Sequence, residues 1–269
     1  MKSLFCDLSR CIPCTVCDKT CPKDVIHVVD GKVELAEDFQ KKCNGCLHCV
    51  AFCPLTALSH SDAPGSVEKA FVATETDAQR TGLLLKSRRT IRHYRQEPLE
   101  PEQIEWILDK VKYAPTGANR RELRWIVTRT TESTAQAKAL ASEWWRQEAV
   151  KDPQRDPKKI DFMFERMARG KDTLTGTAPH IAFCVVATPS TWAPVDTGIA
   201  LAYFNIAADS LGLGCMMSAN MALACASQPL REFLELEETE RCICAICFGK
   251  PVFRVKSIPG LPAAPVRYL

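Results

Sequence analysis

A chain of 269 residues with 46% hydrophobic and 25% charged side chains can build a folded core, which excludes a disordered tract or a fibrous repeat. Its 35 basic and 32 acidic groups leave a formal charge of +3, too small a surplus to argue for nucleic acid or a membrane surface as partner. No run reaches the length of a membrane span, and Cys6, Cys11 and Cys14 stand among charges where a signal peptide would be apolar. A cytoplasmic location is therefore expected. Thiols stay reduced there, so fifteen cysteines point to ligands or small buried hydrophobes rather than disulfides.

In chain order, the first feature is a repeat. "CIPCTVCDKTCP" (11–22) and "CNGCLHCVAFCP" (43–54) both read C-x-x-C-x-x-C-x-x-x-C-P, the ligand spacing of bacterial iron–sulfur clusters. Three close thiolates wrap one corner of a cube, and the fourth, past the longer gap, turns to the other cluster. On that crossing pattern Cys11, Cys14, Cys17 and Cys53 hold one 4Fe-4S centre, and Cys43, Cys46, Cys49 and Cys21 hold the second. Pro22 and Pro54 redirect the chain after each crossing ligand. Zinc would use paired C-x-x-C knuckles instead. His48 is left as a solvated loop residue. Residues 25–35 predict a hairpin around Asp30 and Gly31. Residues 1–60 resemble a bacterial two-cluster ferredoxin.

The small and polar stretch 61–78, with Pro64 and Gly65, predicts a linker, so a second domain is expected over 79–269. Within it, apolar residues at Ile104, Ile107, Leu108 and Val111 predict an amphipathic helix over 101–114. Short apolar runs at 124–128, 181–188 and 242–249 predict central strands. Residues 196–214 predict a core helix, with Asp196 as N-cap and Gly212 and Gly214 at its end. Aromatics and methionines over 141–171 suit helices packed on the core, or a lid over a ligand pocket. The proline-rich tail from Lys250 must run extended.

Two stretches carry a second chemistry. "SRRTIRHYR" (87–95) can clamp a phosphate, because guanidinium groups pair bidentately with its oxygens. "YAPTGANRR" (113–121) is a tight loop in which Asn119 offers a donor and an acceptor to a planar heterocycle. With "DTGIALAYFNIAADSLGLGCMM" (196–217) and "FGKP" (248–251), their order resembles that of the nitroreductase family of FMN flavoproteins, in the branch fused to an N-terminal ferredoxin.

The resemblance implies an α+β, nitroreductase-like fold: a mainly antiparallel sheet flanked by helices, in an intertwined homodimer with FMN at the subunit interface, preceded by the small two-cluster domain. It implies that Arg88, Arg89, Thr90 and Arg92 hold the FMN phosphate and ribityl chain. Asn119 would bond the flavin ring, and Pro115 and Thr116 would line its edge. Met216, Met217 and Ser218 would lie beside it and supply an amide near N5, while Gly249 and Lys250, with Arg254 or Lys256, would finish the phosphate end. Relatives commonly carry Gln-Pro where this chain has Arg121 and Glu122.

Of the other cysteines, Cys242 and Cys244 are expected on one face of a strand as small hydrophobes, and Cys215 lies next to the expected flavin segment. The implied function is an FMN and iron–sulfur oxidoreductase. It would pass electrons from a low-potential donor, ferredoxin or NAD(P)H, through two 4Fe-4S clusters to FMN and on to a small organic acceptor: a nitro compound, quinone, activated alkene or carbon–halogen bond. No catalytic acid, base or nucleophile is expected, because flavin N5 does the chemistry. A reading from another class is a redox module whose FMN relays electrons to a partner protein.

Overall fold

The computed structural model describes residues 1–65, 67–147, 151–152, 154, 156–187 and 191–269. The chain divides into two compact units, residues 1–72 with the loop 116–120, and residues 73–115 with 121–269. Among the described residues no helix is long and apolar enough to cross a membrane.

The first unit runs β1 (Leu4–Cys6), α1 (Val16–Lys19), β2 (Ile26–Val29), β3 (Lys32–Leu35), α2 (Phe39–Lys42), α3 (His48–Ala51) and β4 (Leu58–His60). β2 and β3 form the expected hairpin, closed through Asp30 and Gly31 at φ 46° and 75°. A turn with two left-handed residues matches the twist of the strands it joins. β1 pairs antiparallel with β4, Leu4 opposite His60. The repeated cysteine spacing becomes a repeated backbone: Thr15 and Leu47, each just after the second cysteine of its run, are left-handed and open the one-turn helices α1 and α3. Val25, Ile26, Phe39, Val50 and Leu58 close a small core around the buried Cys17 and Cys49.

The second unit runs α4 (Glu75–Ser87), α5 (Pro101–Val111), β5 (Leu123–Val127), α6 (Thr131–Gln147), α7 (Pro157–Ala168), β6 (His180–Ala187), α8 (Ala193–Ser210), β7 (Gly214–Ser218), α9 (Ala219–Ala224), α10 (Gln228–Phe233) and β8 (Glu240–Gly249). The strands form one antiparallel sheet in the order β5-β6-β8-β7. Successive side chains of β6 serve opposite faces, as the period of two requires. Ile181, Phe183 and Val185 pack with α6, α7, α9 and α10, while Ala182 packs with Ile104 and Ile107 of α5 and Phe204 of α8. This is an α+β layered fold with helices on both sides of an antiparallel sheet.

Several boundaries differ from expectation. Helix α4 starts at Glu75, inside the stretch read as linker, because Thr74 and Asp77 form a reciprocal capping box; Ser66 of that stretch lies outside the described residues. Helix α8 starts at Ala193 rather than at Asp196, with Pro194 in its first turn, where a missing N–H costs nothing. Asp196 is a buried first-turn residue, not the cap. Thr188, the expected end of β6, also lies outside the described residues. Cys242 and Cys244 do not share a face: Cys242 packs with the α6 side and Cys244 with the α5 side. A register shift between Cys184 and Val185 pairs them with Cys244 and Cys242, so one residue of β8 bulges out and reverses the alternation.

Candidate functional site

In the first unit, Cys11, Cys14, Cys17 and Cys53 line one cavity, with Val28, Val33 and Leu58 on its apolar side. Cys21, Cys43, Cys46 and Cys49 line another, with Ile26, Phe39 and His60. Each cavity thus takes three thiols from one run and one from the other. A single tetrahedral ion would draw four sulfurs to about 2.3 Å from one point. Among the described residues no group of three or more His, Cys, Asp or Glu side chains is placed to hold a single metal ion. Burial pushes the Cys49 thiol up to about 11 and raises that of Cys17, so both need a cation beside them to act as thiolates. Cys6 stands near Cys11, its thiol also pushed up to about 11 by burial and by that contact, but it does not line the cavity. His48 is exposed and stacks on Phe52.

The loop 116–120 groups with this unit. The Asn119 side-chain nitrogen donates to the carbonyls of Asn44 and Gly45 at 3.0 Å each, and Asn44 Nδ2 returns a bond to the Ala118 carbonyl at 3.2 Å. Ala118, Asn119 and Arg121 are all left-handed. The Asn119 side-chain nitrogen thus bonds the second cysteine loop. Thr116 lies in the same loop, and Pro115 belongs to the second unit.

In the second unit the structure brings three of the expected stretches together. The basic run lies along β7: Thr90 bridges to Cys215, and Ile91 N–H donates to the Cys215 carbonyl at 3.0 Å. A Cβ at Gly214 would meet the Ile91 side chain at 2.5 Å, so that glycine is what lets the run approach. Gly249 pairs with Gly214, Arg95 N–H donates to the Lys250 carbonyl at 2.9 Å, and Tyr94 bridges to Pro251. Arg89 spends one guanidinium nitrogen on the Lys86 and Arg88 carbonyls, and Lys250 Nζ lies 3.4 Å from Glu97. Burial raises the Asp209 carboxyl, and the Arg88 charge pulls it back. Arg254 and Lys256 lie in the exposed extended tail.

Arg92 and Met216 share a cavity of about 540 Å³ with Trp145 of α6, Ile160, Phe162, Met163 and Arg166 of α7, and Asp172, Thr173 and Asn220. The 141–171 segment is thus both core and wall: Trp145, Ile160 and Met163 are buried, while Phe162 is 54% exposed. Residues 148–150, 153 and 155 of that segment lie outside the described residues. Met217 is exposed; Ser218 is buried, its hydroxyl donating to the Leu174 carbonyl and capping α9 by accepting from Met221 N–H. The Thr173 hydroxyl is buried at the cavity wall with no hydrogen-bond partner, a polar atom that a ligand would satisfy. Asp172 holds the adjoining turn by accepting from Lys138 Nζ at 2.7 Å, Thr175 Oγ1 at 2.6 Å and the N–H groups of Leu174 and Thr175. Burial pushes the Cys184 thiol up to about 12 and raises those of Cys215 and Cys247 further, so these cysteines act as small hydrophobes.

Sequence reasoning passed over His60, Asp172, Thr173 and Asn220. Asp172 and His60 bond backbone N–H groups a few residues on, which carry no side-chain signature, and reach Lys138 and Cys43 far along the chain. The one local signal was the histidine in "SHSD", two residues before an aspartate in a turn-rich stretch.

Residues 85–250 match the model described as the nitroreductase family, and residues 3–55 that of a 4Fe-4S dicluster domain. An FMN reductase [NAD(P)H] of Bacillus subtilis is 28% identical over 195 residues, which span 68% of this chain and 71% of that protein. An archaeal glutamate synthase [NADPH] of Archaeoglobus fulgidus is 37% identical over 57 residues, 21% of this chain and 11% of the synthase. A crystal structure of a nitroreductase with bound FMN from Desulfitobacterium hafniense superposes with a TM-score of 0.58 at 24% identity, covering 70% of this chain and 97% of that one.

Proposed function

Because the chain belongs to the nitroreductase family and opens with a match to a 4Fe-4S dicluster domain, we propose that it is an FMN and iron–sulfur oxidoreductase. It draws electrons from a low-potential donor, ferredoxin or NAD(P)H, and delivers them to a small organic acceptor such as a nitro compound, quinone or activated alkene. When bound, FMN supplies hydride delivery at N5 and two-electron storage, and the two 4Fe-4S clusters supply one-electron steps.

The observation that carries this reading is the cavity shared by Arg92 and Met216, whose size suits a small-molecule site. Trp145, Phe162 and Met163 give it an apolar face for a planar acceptor, among the charged Arg92, Asp156, Lys159, Arg166 and Asp172; a substrate-sized cavity favours an enzyme over a relay. Arg88 and Arg92, with Arg89 and Thr90, would pair with the FMN phosphate; Gly249 and Lys250 lie along the same run, and Arg254 or Lys256 would join them from the tail. The backbone of 216–218 would present an amide near N5, and the orphaned Thr173 hydroxyl supports a polar ligand atom at the same wall. The paired thiol cavities support Cys11, Cys14, Cys17 and Cys53 as ligands of one cluster and Cys21, Cys43, Cys46 and Cys49 of the other.

The molecule would work as a homodimer. The tail exposes Phe253, Leu261, Tyr268 and Leu269, apolar surface that a second copy would cover.

An anaerobic titration with NADPH, NADH and reduced ferredoxin, following flavin absorbance and cluster EPR signals, tests the proposal. Ferredoxin or NAD(P)H should reduce both centres, and the reduced protein should then be reoxidised by a nitroaromatic or a quinone. Reduced flavin that persists in the presence of every such acceptor would overturn the enzyme reading.

A further inference from the structure

We infer that His60 is a positioning residue that tunes one cluster through a hydrogen bond to Cys43 Sγ; the inference rests on the ligand reading above. His60 is 4% exposed, ends β4, and lines the same cavity as Cys21, Cys43, Cys46 and Cys49. The Asp62 N–H donates to its Nδ1 at 3.0 Å. A backbone amide can only donate, so Nδ1 is the acceptor and the proton of the neutral ring sits on Nε2. Nε2 lies 3.6 Å from Cys43 Sγ, within reach of a sulfur acceptor. The Asp62 carboxylate is 4.0 Å from Nδ1, too far for a bond that would reverse the tautomer.

The ring is held on several sides. Pairing with Leu4 fixes its backbone, and Phe39 packs tilted against it with centroids 6.3 Å apart. A Cβ at Gly45 would collide with the Asp62 carboxylate, so the 60–62 turn lies flush on the cysteine loop. An N–H aimed at a ligating sulfur stabilises the more negative, reduced cluster and raises its potential. The other cavity receives a backbone donor instead, Ala57 N–H to Cys53 Sγ at 3.2 Å. Side-chain substitution at His60 leaves that bond in place, so the first cluster serves as an internal reference.

The test is an EPR-monitored redox titration of the FMN-loaded, two-cluster protein as wild type, His60→Leu and His60→Gln. In His60→Leu the midpoint of one cluster should shift to a more negative potential while the other stays put. His60→Gln, which keeps an N–H donor, should remain near the wild-type value. Both midpoints unmoved in His60→Leu, at full iron content, would overturn the inference. A wild-type protein lacking the second cluster signal would instead sink the ligand reading beneath it. If His60→Leu does not fold, pulsed EPR of wild-type protein labelled with ¹⁵N-histidine decides: a ¹⁵N coupling to one reduced cluster, lost in His60→Gln, is expected, and its absence refutes the bond.

Discussion

Asp172 shows how much a single buried carboxylate organises. Its side chain is 7% exposed, and burial alone would raise it. The bonds from Lys138, the Thr175 hydroxyl and the Thr175 N–H outweigh burial and hold the carboxyl at about 2. A pKa depressed below the unfolded value of about 3.9 stabilises by about 2 kcal/mol at neutral pH. That stabilisation is present above about pH 4 and lost as pH falls toward 2. Asp172→Asn should therefore lower stability by roughly 2–3 kcal/mol at pH 7, with the gap to wild type closing below pH 4 in a series of denaturant melts. At the proposed cluster ligands, Cys14→Ala or Cys46→Ala should each cost one cluster, read as iron content, and leave FMN bound. The cysteine runs were legible because ligand spacing is local. Asp172 was not, because Lys138 is distant in sequence and backbone donors carry no sequence signature.

Among the elements, the turn between α7 and β6 lies directly against the basic run. Gly176 is left-handed at φ 60°, and a Cβ there would stand 3.0 Å from the Arg92 Cα and carbonyl oxygen. Gly176→Ala should destabilise by roughly 1–3 kcal/mol and push Arg92 off its station. Weaker FMN retention on gel filtration, with iron unchanged, would report the second effect. The strands and the helices α5 and α8 could be read because periodicity and apolar runs decide them. The start of α8 could not: Asp196 looks like a cap, but Pro194 extends the first turn past it. Nor could the bulge in β8, since Cys242 and Cys244 carry the pattern of a regular strand and only the register against β6 reverses one of them.

For the whole molecule, the two-part organisation was visible in the cysteine repeat and the polar stretch after it. The grouping of loop 116–120 with the N-terminal unit was not, because the Asn119 amide recognises main-chain carbonyls rather than any side-chain motif. If the proposed homodimer is clasped by the tail, ending the chain at residue 250 should give a monomer in sedimentation runs where the full chain sediments as a dimer; an unchanged sedimentation coefficient, corrected for mass, would argue against the tail as the clasp. The placement of Asn119 also bears on biosynthesis. As the nascent chain leaves the ribosome, both cysteine runs emerge well before residue 119, so the carbonyls of Asn44 and Gly45 face water while a scaffold could already be delivering iron and sulfide. The N-terminal unit gains this last hydrogen-bonded segment only after the larger unit's opening helices have been made.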